Sequence, residues 1–224
     1  LEDADQKTRL VNFARADGFD PNYFVSSDSG DTWEYGGKLH TGPRGNRATR
    51  QRPYVKYASR NPDAVHFVTT DGHPRDEDNS IYHGVVRHGQ ILGSNGKKIG
   101  PLATRRVSSV RSPALTTVLA AGTEFGGVAM RRAWTVDLHV HGDGKPYTIL
   151  SARADGDRTD HRFLFARWTG SRWAVHEIAK AGGFLYRAED DYTGLAALDP
   201  SNNDRLVIST NVDPRNDSAL EHYE

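Results

Sequence analysis

Between the apolar runs Tyr23-Phe24-Val25 and Trp33 to Leu39 lies the polar stretch Ser26-Ser27-Asp28-Ser29-Gly30-Asp31-Thr32-Trp33. Two apolar strands with so short an interval must reverse direction, and this interval is built for a tight hairpin. Gly30 is free to take positive φ. Ser26, Asp28 and Thr32 carry short polar side chains that hydrogen-bond neighbouring backbone amides, and Trp33 offers a large apolar face to cap the turn. Any D-x-G stretch makes a hairpin; all five positions of S-x-D-x-G-x-T-W together are seldom accidental. The role of the stretch is structural. It closes a turn and carries no chemistry.

The rest of the chain repeats a strand that ends in a similar way. Leu10–Arg15 runs into Ala16-Asp17-Gly18, Val65–Thr70 into Asp71-Gly72, Tyr147–Arg153 into Ala154-Asp155-Gly156, and Leu206–Thr210 into Asn211-Val212-Asp213. The aspartates stand 54, 84 and 58 residues apart. The long interval holds an extra stretch, Arg105–Phe125, expected to bulge out as a loop. A period in the fifties suits a small sheet repeated around an axis. Period-two alternation predicts strands at Leu10–Arg15, Tyr23–Ser27 and Thr32–Leu39, then at Pro53–Ser59, Val65–Thr70, Ser80–Arg87 and, weakly, Gln90–Gly93. A third set follows at Trp134–Val140, Tyr147–Ala152, Arg162–Trp168 and Arg172–Ile178. Gly194–Leu198 and Leu206–Thr210 begin a fourth, with another strand opening near His222. Leu115–Leu119 reads equally as helix or strand.

A chain of 224 residues is long enough to bury one all-β core. Its 29 basic and 29 acidic residues balance, so neither a nucleic-acid-binding tail nor a membrane span is indicated. Without cysteine it has no disulfides and no thiolate metal site. Leu1 is not a natural start and no signal peptide is present, so the chain is expected to be a mature or excised piece. Its sets of strands begin and end incomplete, and a piece of that kind exposes sheet edges until it meets the remainder of its own ring.

The Ser26–Trp33 pattern resembles the Asp box of the sialidase-like, BNR-repeat β-propellers. That resemblance implies four-stranded antiparallel blades, with Ser26, Asp28, Gly30, Thr32 and Trp33 as the structural Asp box. In such blades the turn after strand three lies on one face and the loops after strand two lie on the other. The second face then gathers Arg15, Arg44, Arg47, Arg50, Arg52, Arg75, Arg153, Arg158 and Arg187, a basic surface suited to an acidic substrate within a neutral chain.

Four further stretches are similar to one group within that family. They are Asn12-Phe13-Ala14-Arg15; Arg52-Pro53-Tyr54-Val55-Lys56-Tyr57-Ala58-Ser59; Thr70-Asp71-Gly72-His73-Pro74-Arg75 with Asn79-Ser80-Ile81-Tyr82; and Asp191-Tyr192-Thr193-Gly194-Leu195 with Asp199-Pro200. Asp160-His161-Arg162 with Ala166-Arg167-Trp168 is a weaker fifth. They resemble the ulvan lyases and rhamnosyl-glucuronate lyases, seven-bladed propellers that cut beside uronic acids, and about half of such a ring would be present. The resemblance implies β-elimination. A base takes the proton alpha to the uronate carboxylate, and an acid protonates the departing glycosidic oxygen. The carboxylate must be neutralised as charge builds, a task that suits arginine's permanent, forked cation.

On that resemblance Arg15, Tyr57 and His73 are the candidate catalytic residues, and Arg75, Asn22, Arg153 and Tyr192 the candidate substrate contacts. The lyases' main histidine pair would precede Leu1. No cofactor is required, although some relatives hold a structural metal, for which His73, His83 and His161 are the candidate ligands. The expected partner is an acidic polysaccharide or uronate-containing glycan, and the expected location is secreted or periplasmic. Residue patterns alone leave other readings open. Arg15 also fits a surface strand end, Tyr57 a core tyrosine and His73 a turn histidine bonded to backbone. A non-catalytic acidic-glycan-binding propeller and a sialidase- or rhamnosidase-type hydrolase remain alternatives to the lyase.

Overall fold

The computed structural model describes residues 9–43, 52–202, 204–213 and 218–220. The strand expected near His222, and Arg44, Arg47 and Arg50, lie outside the described residues. The chain divides into two compact units, one of Leu1–His73 with Tyr82–Thr117, the other of Pro74–Ile81 with Val118–Glu224. Both are built of strands, and helix is confined to the 3₁₀ turns Asp17–Phe19 and Ser112–Ala114 among the described residues. Val128–Val140 and the residues around Tyr147, where a helix would have ruled out the architecture, are extended.

In the first unit β1 (Leu10–Arg15), β2 (Pro21–Ser26) and β3 (Glu34–Lys38) form an antiparallel sheet in that order. The turn from β2 to β3 is held by its own side chains. Ser26 Oγ donates to Asp28 Oδ1 (2.7 Å), and the amides of Gly30 and Thr32 donate to Ser26 Oγ (2.8 Å) and Asp28 Oδ1 (3.0 Å). Thr32 Oγ1 donates to the other Asp28 oxygen. Gly30 sits at φ 103°, a value a Cβ would strain. These donors hold the Asp28 carboxyl down at about 2. Trp33 Nε1 donates to Gly30 O (3.0 Å), so the cap includes a hydrogen bond from the indole edge, and the residue remains 42% exposed.

A second sheet follows β4 (His40–Thr41). It consists of β5 (Val55–Asn61), β6 (Ala64–Thr70), β7 (Ile81–Arg87), β8 (Gln90–Leu92) and β9 (Lys98–Pro101), paired in sequence. Residues 105–125 contribute strands as well as loop. β10 (Val110–Arg111) pairs with β4, a short parallel contact in an otherwise antiparallel structure, and β11 (Thr116–Leu119) pairs with β7. Leu115–Leu119 is therefore mainly strand, and β7 pairs with three segments, β6, β8 and β11. The core between the sheets contains Leu39, Phe67, Tyr82, Val86, Ile91 and Leu115, with Phe13, Val55 and Tyr57 packed against it. Phe67 is fully buried, and removing a buried side chain of that size costs about 3–5 kcal/mol.

In the second unit β12 (Glu124–Phe125), β13 (Val128–Val140), β14 (Pro146–Ala154), β15 (His161–Trp168) and β16 (Trp173–Gly182) form an antiparallel sheet in sequence order. β14 and β15 are central and almost wholly buried, the polar side chains of Thr148, Ser151 and Arg162 included. The hairpin of β17 (Ala196–Leu198) and β18 (Leu206–Ile208) packs Leu198, Leu206 and Ile208 onto Tyr147, Ile149 and Phe163. Asp137 Oδ2 accepts the Leu198 amide at 2.9 Å and ties that hairpin to β13.

Candidate functional site

Arg15 closes β1, and Tyr54 stands just before β5. The Arg15 guanidinium lies over the Tyr54 ring, 4.6 Å from its centroid, and that ring also meets His73 edge-on at 5.1 Å. A cation over an aromatic face is attracted by the ring quadrupole without being neutralised by it. Arg15 is exposed and forms no ion pair among the described residues. His73, by contrast, is 5% exposed. Register settles which end of the sheet this is. Arg15 pairs with Pro21 and Leu10 with Ser26, so Arg15 and the Ser26–Trp33 turn lie at opposite ends of β2. Beside this group, Arg52 lies 4.6 Å over the ring of Phe19, in the turn that follows β1.

Two other candidates of this unit are placed differently from expectation. Tyr57 stacks on Phe13 with centroids 4.5 Å apart and packs against the Phe67 core. Desolvation pushes its hydroxyl above the usual tyrosine range, so it stays protonated. Phe13 and Arg15 share one face of β1 by alternation, so Tyr57 supports the strand that carries Arg15. Asn22 is fully buried, donating to Asp20 O (2.6 Å) and accepting from the Tyr35 hydroxyl (2.7 Å), which corrects its assignment as a substrate contact. It braces the loop after β1. Tyr54 is the residue that sequence reasoning passed over. Its neighbours at strand ends, not its own spacing, bring it into the group.

The histidines expected to bind a metal are otherwise engaged. His83 is fully buried, with Nε2 3.1 Å from His66 Nδ1 and Nδ1 2.8 Å from Ser94 Oγ. His161, in the second unit, is 2% exposed with Nδ1 3.1 Å from Gly182 O. Among the described residues no three His, Cys, Asp or Glu side chains converge as a metal site.

In the second unit the remaining candidates lie among carboxylates. Arg75 Nη1 is 2.7 Å from Glu189 Oε1, and Arg153 Nη1 is 2.8 Å from Asp191 Oδ1. Tyr192 lies against Trp134 with centroids 5.0 Å apart. Arg131 bridges Asp78 (3.0 Å) and Asp155 (2.9 Å), and Arg158 reaches Asp190 (2.9 Å). Arg132 sits at φ 53° in a β-bulge of β13, where it donates to the carbonyls of Pro74 and Arg75. Burial raises the Asp191 carboxyl above its ordinary value, although Arg153 opposes the shift. Sequence reasoning missed Arg132, Glu189 and Trp134, since a bulge and the cross-loop pairs leave no mark in periodicity.

No family model and no curated protein matches this chain. Solved structures do. One is the structure of a PL25 ulvan lyase, described as a new family of polysaccharide lyase, with a TM-score of 0.52 and 15% identity over 83% of this chain. A second is the same kind of enzyme bound to -[GlcA(1-4)Rha3S]-, with a TM-score of 0.51 and 15% identity. This chain spans 45% of the length of each. The likeness establishes an all-β fold similar to that of a polysaccharide lyase.

Proposed function

We propose that this chain forms part of a secreted or periplasmic polysaccharide lyase that cleaves beside a uronic acid by β-elimination. We take its sheets to be blades of a BNR-repeat propeller, seven-bladed in full, with Ser26–Trp33 as an Asp box. The observation that carries the reading is the exposed Arg15 guanidinium, held on the Tyr54 ring beside His73 without an ion pair among the described residues. Its fork is available to a substrate carboxylate. The fold likeness to a polysaccharide lyase supports the reading, as does the uronate-containing oligosaccharide bound to one such structure.

In the reaction a base removes the proton alpha to the carboxylate, and the electron pair becomes a carbon–carbon double bond as the glycosidic C–O bond breaks. The departing oxygen takes up a proton. Arg15 stabilises the charge that grows on the carboxylate, a contribution largest in the transition state. Tyr54 orients Arg15, and Tyr57 holds the strand beneath it.

The test incubates the full-length protein containing this chain with a glucuronate-containing polysaccharide. Rising ultraviolet absorbance from an unsaturated uronate is the expected result. New reducing ends without that absorbance mean hydrolysis, and binding without either means a glycan-binding module; both overturn the lyase.

A further inference from the structure

A second surface of the first unit has the chemistry of a saccharide site, away from the Arg15 end of its sheet. Ala103 lies hard against β3. Tyr23 donates its hydroxyl to Ala103 O at 2.6 Å, and a Cβ on Gly37 would stand 2.6 Å from that same oxygen. A Cβ on Gly36 would stand 2.1 Å from the Tyr23 ring. Two glycines in succession therefore let the 103–109 segment close onto the strand. Beyond Ala103 the chain turns back at once, with reciprocal backbone hydrogen bonds between Thr104 and Val107 at 3.1 and 3.2 Å. Arg105 and Arg106 are the two residues at the tip. Both are exposed, and neither forms an ion pair among the described residues.

These arginines line a groove of about 610 Å³ whose opposite wall is Trp33, Glu34 and Tyr35. Trp33 is 42% exposed, yet its indole edge is fixed by the bond to Gly30 O, and the Tyr35 ring is set by its hydroxyl bond to Asn22. The groove thus combines preordered aromatic rings, two forked cations and one carboxylate. Aromatic faces take the apolar C–H face of a pyranose. Arginine forks take carboxylate or sulfate-like oxyanions, and Glu34 accepts from sugar hydroxyls. With two guanidiniums against one carboxylate the groove carries a net positive charge, which suits an acidic glycan.

We infer that Trp33, Arg105 and Arg106 form an auxiliary binding site for an acidic polysaccharide chain. The inference rests on the reading above for the class of ligand, and it assigns this site to capture of polymer rather than to cleavage. Long substrates gain from it through a raised local concentration.

The experiment uses the full-length protein, a sulfated glucuronate polymer, a short oligosaccharide of the same glycan, dextran as neutral control and poly(U) RNA. The double variant Arg105→Ala/Arg106→Ala is expected to bind the polymer about tenfold more weakly in titration calorimetry, the two lost pairings together being of the order measured for solvent-exposed ion pairs. Turnover of the short oligosaccharide should be unchanged. Trp33→Phe, which keeps a ring but loses the bond to Gly30, should weaken the polymer less and leave melting nearly unchanged. Unaltered polymer binding by the double variant overturns the site, as does tighter binding of RNA than of the glycan. If the wild type binds polymer through these arginines but eliminates nothing, the lyase fails and the site stands.

Discussion

The two units use the same residue types in opposite ways. In the first, Arg15 rests on the ring of Tyr54 and has no ion pair among the described residues. In the second, Arg75, Arg131, Arg153 and Arg158 each reach a carboxylate within 3.0 Å. An aromatic support orients a guanidinium while leaving its five donors for a ligand. A carboxylate support uses those donors and fixes loop against loop. One arginine faces no carboxylate among the described residues and four are ion-paired, although Arg15 and Arg153 both stand at or next to the C-terminal end of a strand.

The largest effect that tests this contrast is at Arg15. On the proposed lyase reading, Arg15→Ala in the full-length protein is expected to lower kcat about 10²–10³-fold, the loss typical of removing one oxyanion donor. Melting should change little because the side chain is exposed and forms no ion pair among the described residues. Arg15→Lys should recover little, since an ammonium does not reproduce the fork. A kcat within threefold of wild type for Arg15→Ala, read from the ultraviolet progress curve, would remove Arg15 from the chemistry.

Arg153 should behave in the opposite manner. Its side chain is 17% exposed and that of Asp191 5%. Arg153→Ala leaves a buried carboxylate without its cation, which costs about 3 kcal/mol in folding stability. Asp191 is already raised by burial, so Asp191→Asn, which removes the charge, should cost less. Urea unfolding of the two single variants and the double variant checks this. If Arg153→Ala keeps full stability while substrate affinity collapses, Arg153 is a binding residue after all and the contrast between the units dissolves.

The strands were legible in the sequence because sheets with buried faces impose alternation, and Leu10–Arg15, Val65–Thr70 and the third set of strands fall where alternation places them. The turn at Ser26–Trp33 was legible for a different reason: its hydrogen bonds are local, so the residues that make them are neighbours in sequence. Residues 105–125 were not. β11 pairs with β7 across the β8–β9 hairpin, and nothing in Thr116–Leu119 itself says which neighbour it will choose. The candidate site was legible only at strand ends. Arg15 follows from its position, whereas Tyr54 enters the group through contacts with residues distant in the chain. Asn22 shows the converse, a polar residue near the start of β2 whose amide turns inward.

The smallest effect separates the units by acid. In the first unit burial lowers His40 and His66 to about 4 and also holds His83 well below its ordinary value, with His66 adding repulsion. His66 and His83 lie 3.1 Å apart and are best accommodated neutral. In the unfolded chain these groups titrate near 6.5. The unfolded state therefore binds more protons between 6.5 and about 4, and stability rises with pH across that window. The contribution is complete above 6.5, falls as pH drops, and levels off below about 4. At pH 5.5 the loss is about 1 kcal/mol for each of His40 and His66. Among the described residues of the second unit one such group stands out, His161, whose folded value is also lowered by burial. Its ion cluster responds in a lower range. Arg162 and Lys180 hold the Asp160 carboxyl below its ordinary value against burial, so that contribution is present above the unfolded value and is lost only as pH falls through the folded one. Amide hydrogen exchange at pH 7.5 and 5.5, corrected for intrinsic rates, should show β5, β6 and β7 losing protection before β14, β15 and β16. Equal loss in both sheets would mean that the buried histidines of the first unit do not set its acid limit, and that the two units open together.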